Sequence, residues 1–357
     1  MNSTPNLVRN QLDAKALRNE FPLLAEGENK HLAYLDNAAT TQKPWRVLNA
    51  VQSFYLNHNA NVRRGAYGLS EQATRDYETA RADVANFINS APDEVVFVRG
   101  TTEAINLVAH TFVNAGDSIL VTEMEHHANI VPWQIASRGP VTAVRILDSG
   151  DLDFEDLRAK LSERPRLLAI TWVSNVLGTV NPIEDIVRIA REFGVPTLVD
   201  AAQAAPHMAI DVVESGADFV AFSGHKMYAP MGIGVLYGRR ERLKALLPFQ
   251  GGGDMIDAVS FEQSTFAAPP YRFEAGTPNA GAAVGLAEAT RFLRETEGIA
   301  EHEAALAIDL RRRLEAMDGV RVLSNPTSQA PVVPFVVDGA HAHDVATVLD
   351  SRGVCVR

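Results

Sequence analysis

DFVAFSGHKMYAPMGIGVLYGRR, residues 218–240, holds two short apolar runs, DFVAF and GVLYG, on either side of a polar turn that carries a lysine. Apolar runs of this length that do not alternate with polar residues are strands covered on both faces. Upstream the same grammar repeats. TLVDAA (197–202) is a strand, PIEDIVRIAREFG (182–194) a helix and RLLAITWVS (166–174) another strand. A helix near 128–137, a strand SILVT (118–122), the helix TEAINLVAH and the strand VVFVRG (95–100) continue it toward the N-terminus. Before them, Ala73, Tyr77, Ala80, Val84 and Phe87/Ile88 recur at helical spacing. Strands alternating with helices predict an α/β fold built on a large, mostly parallel sheet.

Past about residue 285 the character changes. A long charged helical segment (AEATRFLRETEGIAEHEAALAIDLRRRLEAM) leads into PVVPFVVD, HAHDVATVLDSRG and VCVR, a strand–helix–strand pattern. The sequence therefore predicts a large domain over 23–285 and a smaller α+β domain from 1–22 and 286–357. That smaller domain reads as incomplete, because the sequence stops on a strand. An apolar patch on the small sheet is the expected consequence.

Composition narrows the function. The 357 residues carry 44 acidic and 33 basic side chains, a net charge of −11, which argues against a nucleic-acid binder. No run reaches the ~20 apolar residues of a membrane span, and the polar N-terminus has no secretory h-region. The single cysteine, Cys355, allows no internal disulfide and fits a cytoplasmic setting. It sits in the run Val354-Cys355-Val356, where it reads as a small buried hydrophobe.

In open α/β sheets, ligands bind beyond the carboxyl ends of the strands, so the residues there carry the functional reading. Gly100-Thr101-Thr102 opens a helix and can hold an anion on free N–H groups and hydroxyls. Glu125-His126-His127 follows another strand; adjacent side chains in extended chain face opposite ways, which favours an aromatic or proton-transfer role over a metal site. Asn175 follows a third. Asp200, with Gln203 three residues on, ends a fourth, and an acid there needs a cation or strong donor. Ser223-Gly224-His225-Lys226 ends a fifth; burial would lower the lysine's pKa and make it nucleophilic toward carbonyls. Gly232-Ile233-Gly234 with Gly238 mimics a dinucleotide fingerprint but has the wrong spacing. Together these features supply a phosphate cradle, an acid for a pyridinium nitrogen and a Schiff-base lysine, the requirements of pyridoxal 5′-phosphate (PLP).

YLDNAAT (34–40), FVRGTTEAINLVA (97–109), MEHHANIVPWQ (124–134), VSNVLGT (173–179), VDAAQAAPH (199–207), SGHKMYAPMGIGVLY (223–237) and RFEAGTPN (272–279) resemble group II, SufS-type cysteine desulfurases. These are class V members of the fold-type I PLP-dependent transferases. The resemblance implies that Lys226 carries PLP and serves as general acid/base, that Asp200 pairs with the ring nitrogen, and that Gln203 bonds the phenolic oxygen. It implies that His126 stacks on the ring and assists proton transfer, and that Thr102, Ser223 and His225, beside Thr101, hold the phosphate. Thr277 would reach the phosphate of a second subunit, which implies a homodimer, and Asn175 and Arg357 would face the substrate. The implied reaction takes sulfur from L-cysteine, releases L-alanine and leaves a protein persulfide for iron–sulfur cluster assembly, with a SufE-like acceptor.

Two departures stand out. In the family, the strand matching GVCVR is followed by a TGHHC-like loop bearing the nucleophilic thiol; here the sequence stops at Arg357, and the expectation is an incomplete chain. Arg63-Arg64-Gly65 stands where the family has His-Arg-Gly. A selenocysteine lyase or other class V enzyme, and a PLP-binding partner protein without the thiol, are the alternative readings.

Overall fold

The apolar runs fold as one central sheet in the computed structural model, which describes residues 12–357; part of the 1–22 segment thus lies outside the described residues. In chain order the strands are β1 (Ala33–Tyr34), β2 (Val95–Val98), β3 (Ile119–Thr122), β4 (Val141–Val144), β5 (Leu167–Thr171), β6 (Thr197–Asp200) and β7 (Phe219–Ser223). They continue with β8 (Gly234–Gly238), β9 (Ile256–Val259), β10 (Ser264–Phe266), β11 (Val320–Val322), β12 (Phe335–Val337) and β13 (Val354–Cys355).

Seven strands form the main sheet in the order β2-β8-β7-β6-β5-β3-β4. Neighbours from β4 to β7 pair in parallel, while β8 is antiparallel to both β7 and β2. The two reversals leave β2 pointing the same way as β7. Consequently the C-terminal ends of β2, β3, β5, β6 and β7 open on one edge. Every residue of β2, β3, β5, β6, β7 and β8 is buried, as continuous apolar runs require when helices cover both faces.

One face is covered by helices that include Gly68–Phe87, Ile183–Glu192 and Ala280–Glu295, the other by Thr101–Phe112 and Val131–Ser137. In Gly68–Phe87, Ala73, Tyr77, Ala80 and Val84 are all buried, matching the helical spacing of those residues. Residue 285, the expected domain boundary, falls inside Ala280–Glu295, a helix buried along most of its length. The charged segment that begins within it is not one helix: Ala280–Glu295 stops at Thr296, which is extended, and Gly298, at φ +84°, starts Ile299–Glu315.

The C-terminal part is thinner. β11 and β12 form an antiparallel pair, and β13 pairs in parallel with β1, Ala33 with Val354 and Tyr34 with Cys355. Leu314 is the one buried residue of Ile299–Glu315, and helix Ala342–Asp350 has none. Leu306, Ile308, Leu310 and Val348 are exposed on its two helices, with Met317 and Leu323 exposed beside them, whereas the apolar residues of β11 and β12 are half-buried, so the exposed apolar side chains lie mainly on the helices and not on the small sheet. Cys355 is half-buried in β13 rather than enclosed.

Candidate active site

Five strand ends place the chemistry. Asp200 is the last residue of β6 and is buried; its Oδ1 accepts from the Ala202 N–H (2.9 Å). Ser223 ends β7, and the tight turn Gly224–Lys226 follows it. Thr101 opens the helix after β2, its N–H donating to Ser223 Oγ (2.8 Å) and its Oγ1 bonded to the same atom (2.7 Å). Thr102 is exposed in the first turn of that helix.

The close approach of these two loops depends on a glycine. A Cβ on Gly234 would meet Gly100 Cα at 2.5 Å and the Phe222 carbonyl oxygen at 2.7 Å. Gly234 therefore serves sheet packing under the cradle, and the fingerprint-like spacing around it has that physical cause.

Electrostatics tie the cluster together. Burial lowers the Lys226 pKa and the nearby Asp200 partly offsets it, while the charge of Arg357 lowers it further. Burial raises the Asp200 pKa, with its Ala202 N–H bond and the charges of Lys226 and His126 opposing. His126 and His225 are both pushed toward the neutral form, first by burial and then by Lys226. His126 Nδ1 accepts from the Ala128 N–H (3.1 Å), so a neutral ring carries its proton on Nε2. Among the described residues Asp200 has no cation within ion-pair distance, so the Ala202 N–H and the more distant charges of Lys226 and His126 offset the cost of its burial only in part.

The other expected residues are placed less tightly. Gln203 donates Nε2 to the Ala38 carbonyl (2.6 Å), and its Oε1 is buried without a partner. Arg357 is exposed and donates Nε to Asp36 Oδ1 (3.1 Å), and the β1–β13 pairing brings it within electrostatic reach of Lys226 and His126. Asn175 is half-buried in the loop after β5. Thr277 stands apart, exposed on a groove of ≈ 560 Å³ lined also by Arg99, Glu103, Phe249 and Gln250.

A model of the aminotransferase class-V family matches residues 33–357. The chain belongs to that family. Its relatives include proteins named "Probable cysteine desulfurase" from Xylella fastidiosa (strain 9a5c), 46% identical over 97% of this chain and 85% of that protein, and from Streptomyces coelicolor, 44% identical over 97% and 87%. Among solved structures, an apo cysteine desulfurase of Thermococcus onnurineus NA1 superposes with a TM-score of 0.89 at 37% identity, covering 100% of this chain and 88% of the other. A cysteine desulfurase of Escherichia coli gives 0.88 at 35%, covering 98% and 88%.

This class-V family is PLP-dependent, and the residues present fit that cofactor. Asp200 offers a buried, only partly compensated acid to a pyridinium nitrogen. Gln203 has an orphaned amide oxygen and a second amide hydrogen available to a ring substituent. Ser223 and Thr101 cluster hydroxyls and an N–H at a helix N-terminus, a donor set suited to phosphate.

Glu125, which the sequence shows only as the neighbour of two histidines, has a structural role of its own. Its carboxylate is fully enclosed and accepts from Thr122 Oγ1 (2.6 Å), Asn129 Nδ2 (2.6 Å) and the Thr171 N–H (2.9 Å). Burial pushes its pKa up to about 8. It pins the turn after His126 to the ends of β3 and β5. Like Asp200, it is an acid just past the end of an apolar strand, a position that requires donors when buried.

Proposed function

We infer that this class-V protein is a PLP-dependent cysteine desulfurase that converts L-cysteine to L-alanine and passes the sulfur to a thiol. The observation carrying this reading is the convergence of Lys226, Asp200, His126 and the Thr101–Ser223 cradle on one sheet edge.

Bound PLP supplies an electron sink that acidifies the substrate's α C–H and weakens its bond to sulfur. The protein's part is positioning and proton handling. Lys226, kept toward its neutral amine by burial, holds the cofactor and then moves the α-proton at Nζ. Asp200 would hold a proton at the cofactor's ring nitrogen, and Gln203, with its amide oxygen unpartnered and one amide hydrogen on the Ala38 carbonyl, would bond the phenolic oxygen. Neutral His126 would serve beside the ring, its Nε2 proton free to be offered. Thr102, Ser223 and His225, with Thr101, bind the phosphate, and Thr277 reaches the phosphate of a second copy, making the functional unit a homodimer. Asn175 and Arg357 orient the substrate carboxylate. In the sulfur step a thiol attacks the substrate's sulfur, so that RSH and L-cysteine give RSSH and L-alanine. By the same reading the protein is SufS-like, works in the cytoplasm with a SufE-like acceptor and serves iron–sulfur cluster assembly. No helix among the described residues is long and apolar enough to cross a membrane.

Cys355 lies in β13, paired with β1, so this side chain is not itself the attacking thiol of that reading. A selenocysteine lyase and a PLP-binding partner protein are the alternative readings. The test is L-alanine release from L-cysteine and from L-selenocysteine by the PLP-loaded protein with excess dithiothreitol as thiol. Release from L-cysteine is expected. Release from L-selenocysteine alone would move the assignment to the lyase, and release from neither would leave the partner protein.

A further inference from the structure

The carbonyl oxygen of His225, one peptide before Lys226, is the acceptor for four donors from a single distant segment. Thr40 Oγ1 (3.1 Å), the Thr41 N–H (3.0 Å), Thr41 Oγ1 (3.1 Å) and Lys43 Nζ (3.0 Å) all converge on it. Thr41 Oγ1 in turn accepts from the Tyr228 N–H (2.8 Å), gripping the turn on the other side of Lys226. A carbonyl oxygen has two lone pairs, so four donors on one atom are more than local folding demands. Lys43 Nζ has one other partner, the Thr41 carbonyl (2.5 Å), and among the described residues no carboxylate lies within ion-pair distance of it. Burial disfavours this ammonium, and two carbonyl oxygens give it no counter-charge, so a nearby anion would be strongly favourable.

We propose that Lys43 is a positioning residue for Lys226 and a buried counter-charge for the cofactor phosphate, acting through the His225 carbonyl. This rests on reading the Thr101–Ser223–His225 cluster as the phosphate cradle. Through that carbonyl the Lys43 ammonium fixes the peptide that joins His225 to Lys226, and with it the backbone from which both side chains leave. Its positive charge stands beside His225, whose pKa is lowered by burial first, then by Lys226 and Lys43.

The geometry has a pH signature. Burial brings the Lys43 pKa down to about 8, so without cofactor it loses its proton just above neutrality. A phosphate dianion nearby would hold that proton on, so binding takes up a proton above about pH 8, and affinity for PLP falls as pH rises from there. The other titrating groups facing this segment are Tyr34, whose hydroxyl donates to the Thr40 carbonyl (2.8 Å), Tyr228, His225 and Lys226; burial raises both tyrosines above their ordinary value, so they stay uncharged in this range. His225, its pKa already lowered, is neutral throughout this range. Lys226 acts with the opposite sign, since its deprotonation favours covalent attachment.

The test measures PLP affinity by absorbance from pH 7 to 9.5 on cofactor-stripped wild type, Lys43→Met and Lys43→Arg, with thermal unfolding of each. Expected are a roughly tenfold loss of affinity in Lys43→Met at pH 7.5, no decline with pH in that variant, and near wild-type affinity without alkaline decline in Lys43→Arg. Wild-type affinity and pH dependence in folded Lys43→Met would overturn the proposal. So would a Lys43→Arg profile that declines as wild type does, a result that stands even if Lys43→Met fails to fold. Failure of the wild type itself to bind PLP would instead refute the underlying reading of the cradle.

Discussion

Glu274→Gln replaces the carboxylate at the centre of the most deeply buried ion cluster in the protein with a neutral group of nearly the same shape. Glu274 accepts from Arg81 Nη1 (2.6 Å) and Nη2 (2.8 Å), from Arg63 Nη2 (3.0 Å), from the Tyr77 hydroxyl (3.0 Å) and from the Phe97 N–H (2.9 Å). The side chains of Arg81 and Glu274 are 1% and 3% exposed, so water cannot take the carboxylate's place. Removing one partner of such a pair costs about 3–5 kcal/mol, because the other charge stays buried. With an unfolding entropy of about 2.1 cal/mol/K per residue, the 357-residue chain loses about 1.3 °C per kcal/mol, which predicts a Tm lower by about 4–7 °C. Burial pushes the Glu274 carboxyl up, but Arg81, the Phe97 N–H and Arg63 outweigh it and hold it below its ordinary value. A depressed acid contributes stability above its unfolded-state pKa and loses it as pH falls through the folded one. The gap between wild type and variant should therefore be full at pH 7 and narrow on acidification. Scanning calorimetry at several pH values reads both effects. A Tm within 1 °C of wild type at pH 7, or a gap that widens in acid, would refute the reasoning.

Asp200→Asn keeps the shape of the acid and removes its charge, so kcat should fall at least about 100-fold, near 2.7 kcal/mol of barrier, with PLP still bound; steady-state kinetics beside the cofactor spectrum reads this, and unchanged kcat would count against the ring-nitrogen role. Ser223→Ala deletes the hydroxyl shared by the Thr101 N–H and Oγ1, and equilibrium dialysis should show PLP affinity reduced at least about tenfold, in line with about 1.5–3 kcal/mol for a hydrogen bond to a charged group. Equal affinity would remove Ser223 from the cradle.

The parts legible in the sequence were those with a local cause. β5, β6 and β7 are continuous apolar runs, and the residues that end them announced an edge where chemistry collects. β4 escaped notice because it is an edge strand, mostly outside the core, with only Val144 buried. The β9–β10 hairpin lies almost wholly on the surface and carries no apolar alternation. Gly298 splits a segment whose charge pattern reads as one helix, since a single glycine is tolerated in many helices and its left-handed φ is a property of the fold. Lys43 was invisible for a deeper reason: its acceptor is a backbone oxygen 182 residues away, and no residue-type pattern encodes a contact with a carbonyl. Arg357 gained its proximity to Lys226 from β13 pairing with β1, a long-range register that spacing does not reveal.

The central claim is that Lys226 is the residue bonded to PLP. Borohydride reduction of the PLP-loaded protein fixes the cofactor to its lysine, and peptide mass spectrometry then locates it. The account predicts a single pyridoxyl adduct on the peptide containing Ser223-Gly224-His225-Lys226 and loss of the visible absorbance band in Lys226→Ala. An adduct on Lys43 or any other lysine, or an unchanged band in Lys226→Ala, would contradict it.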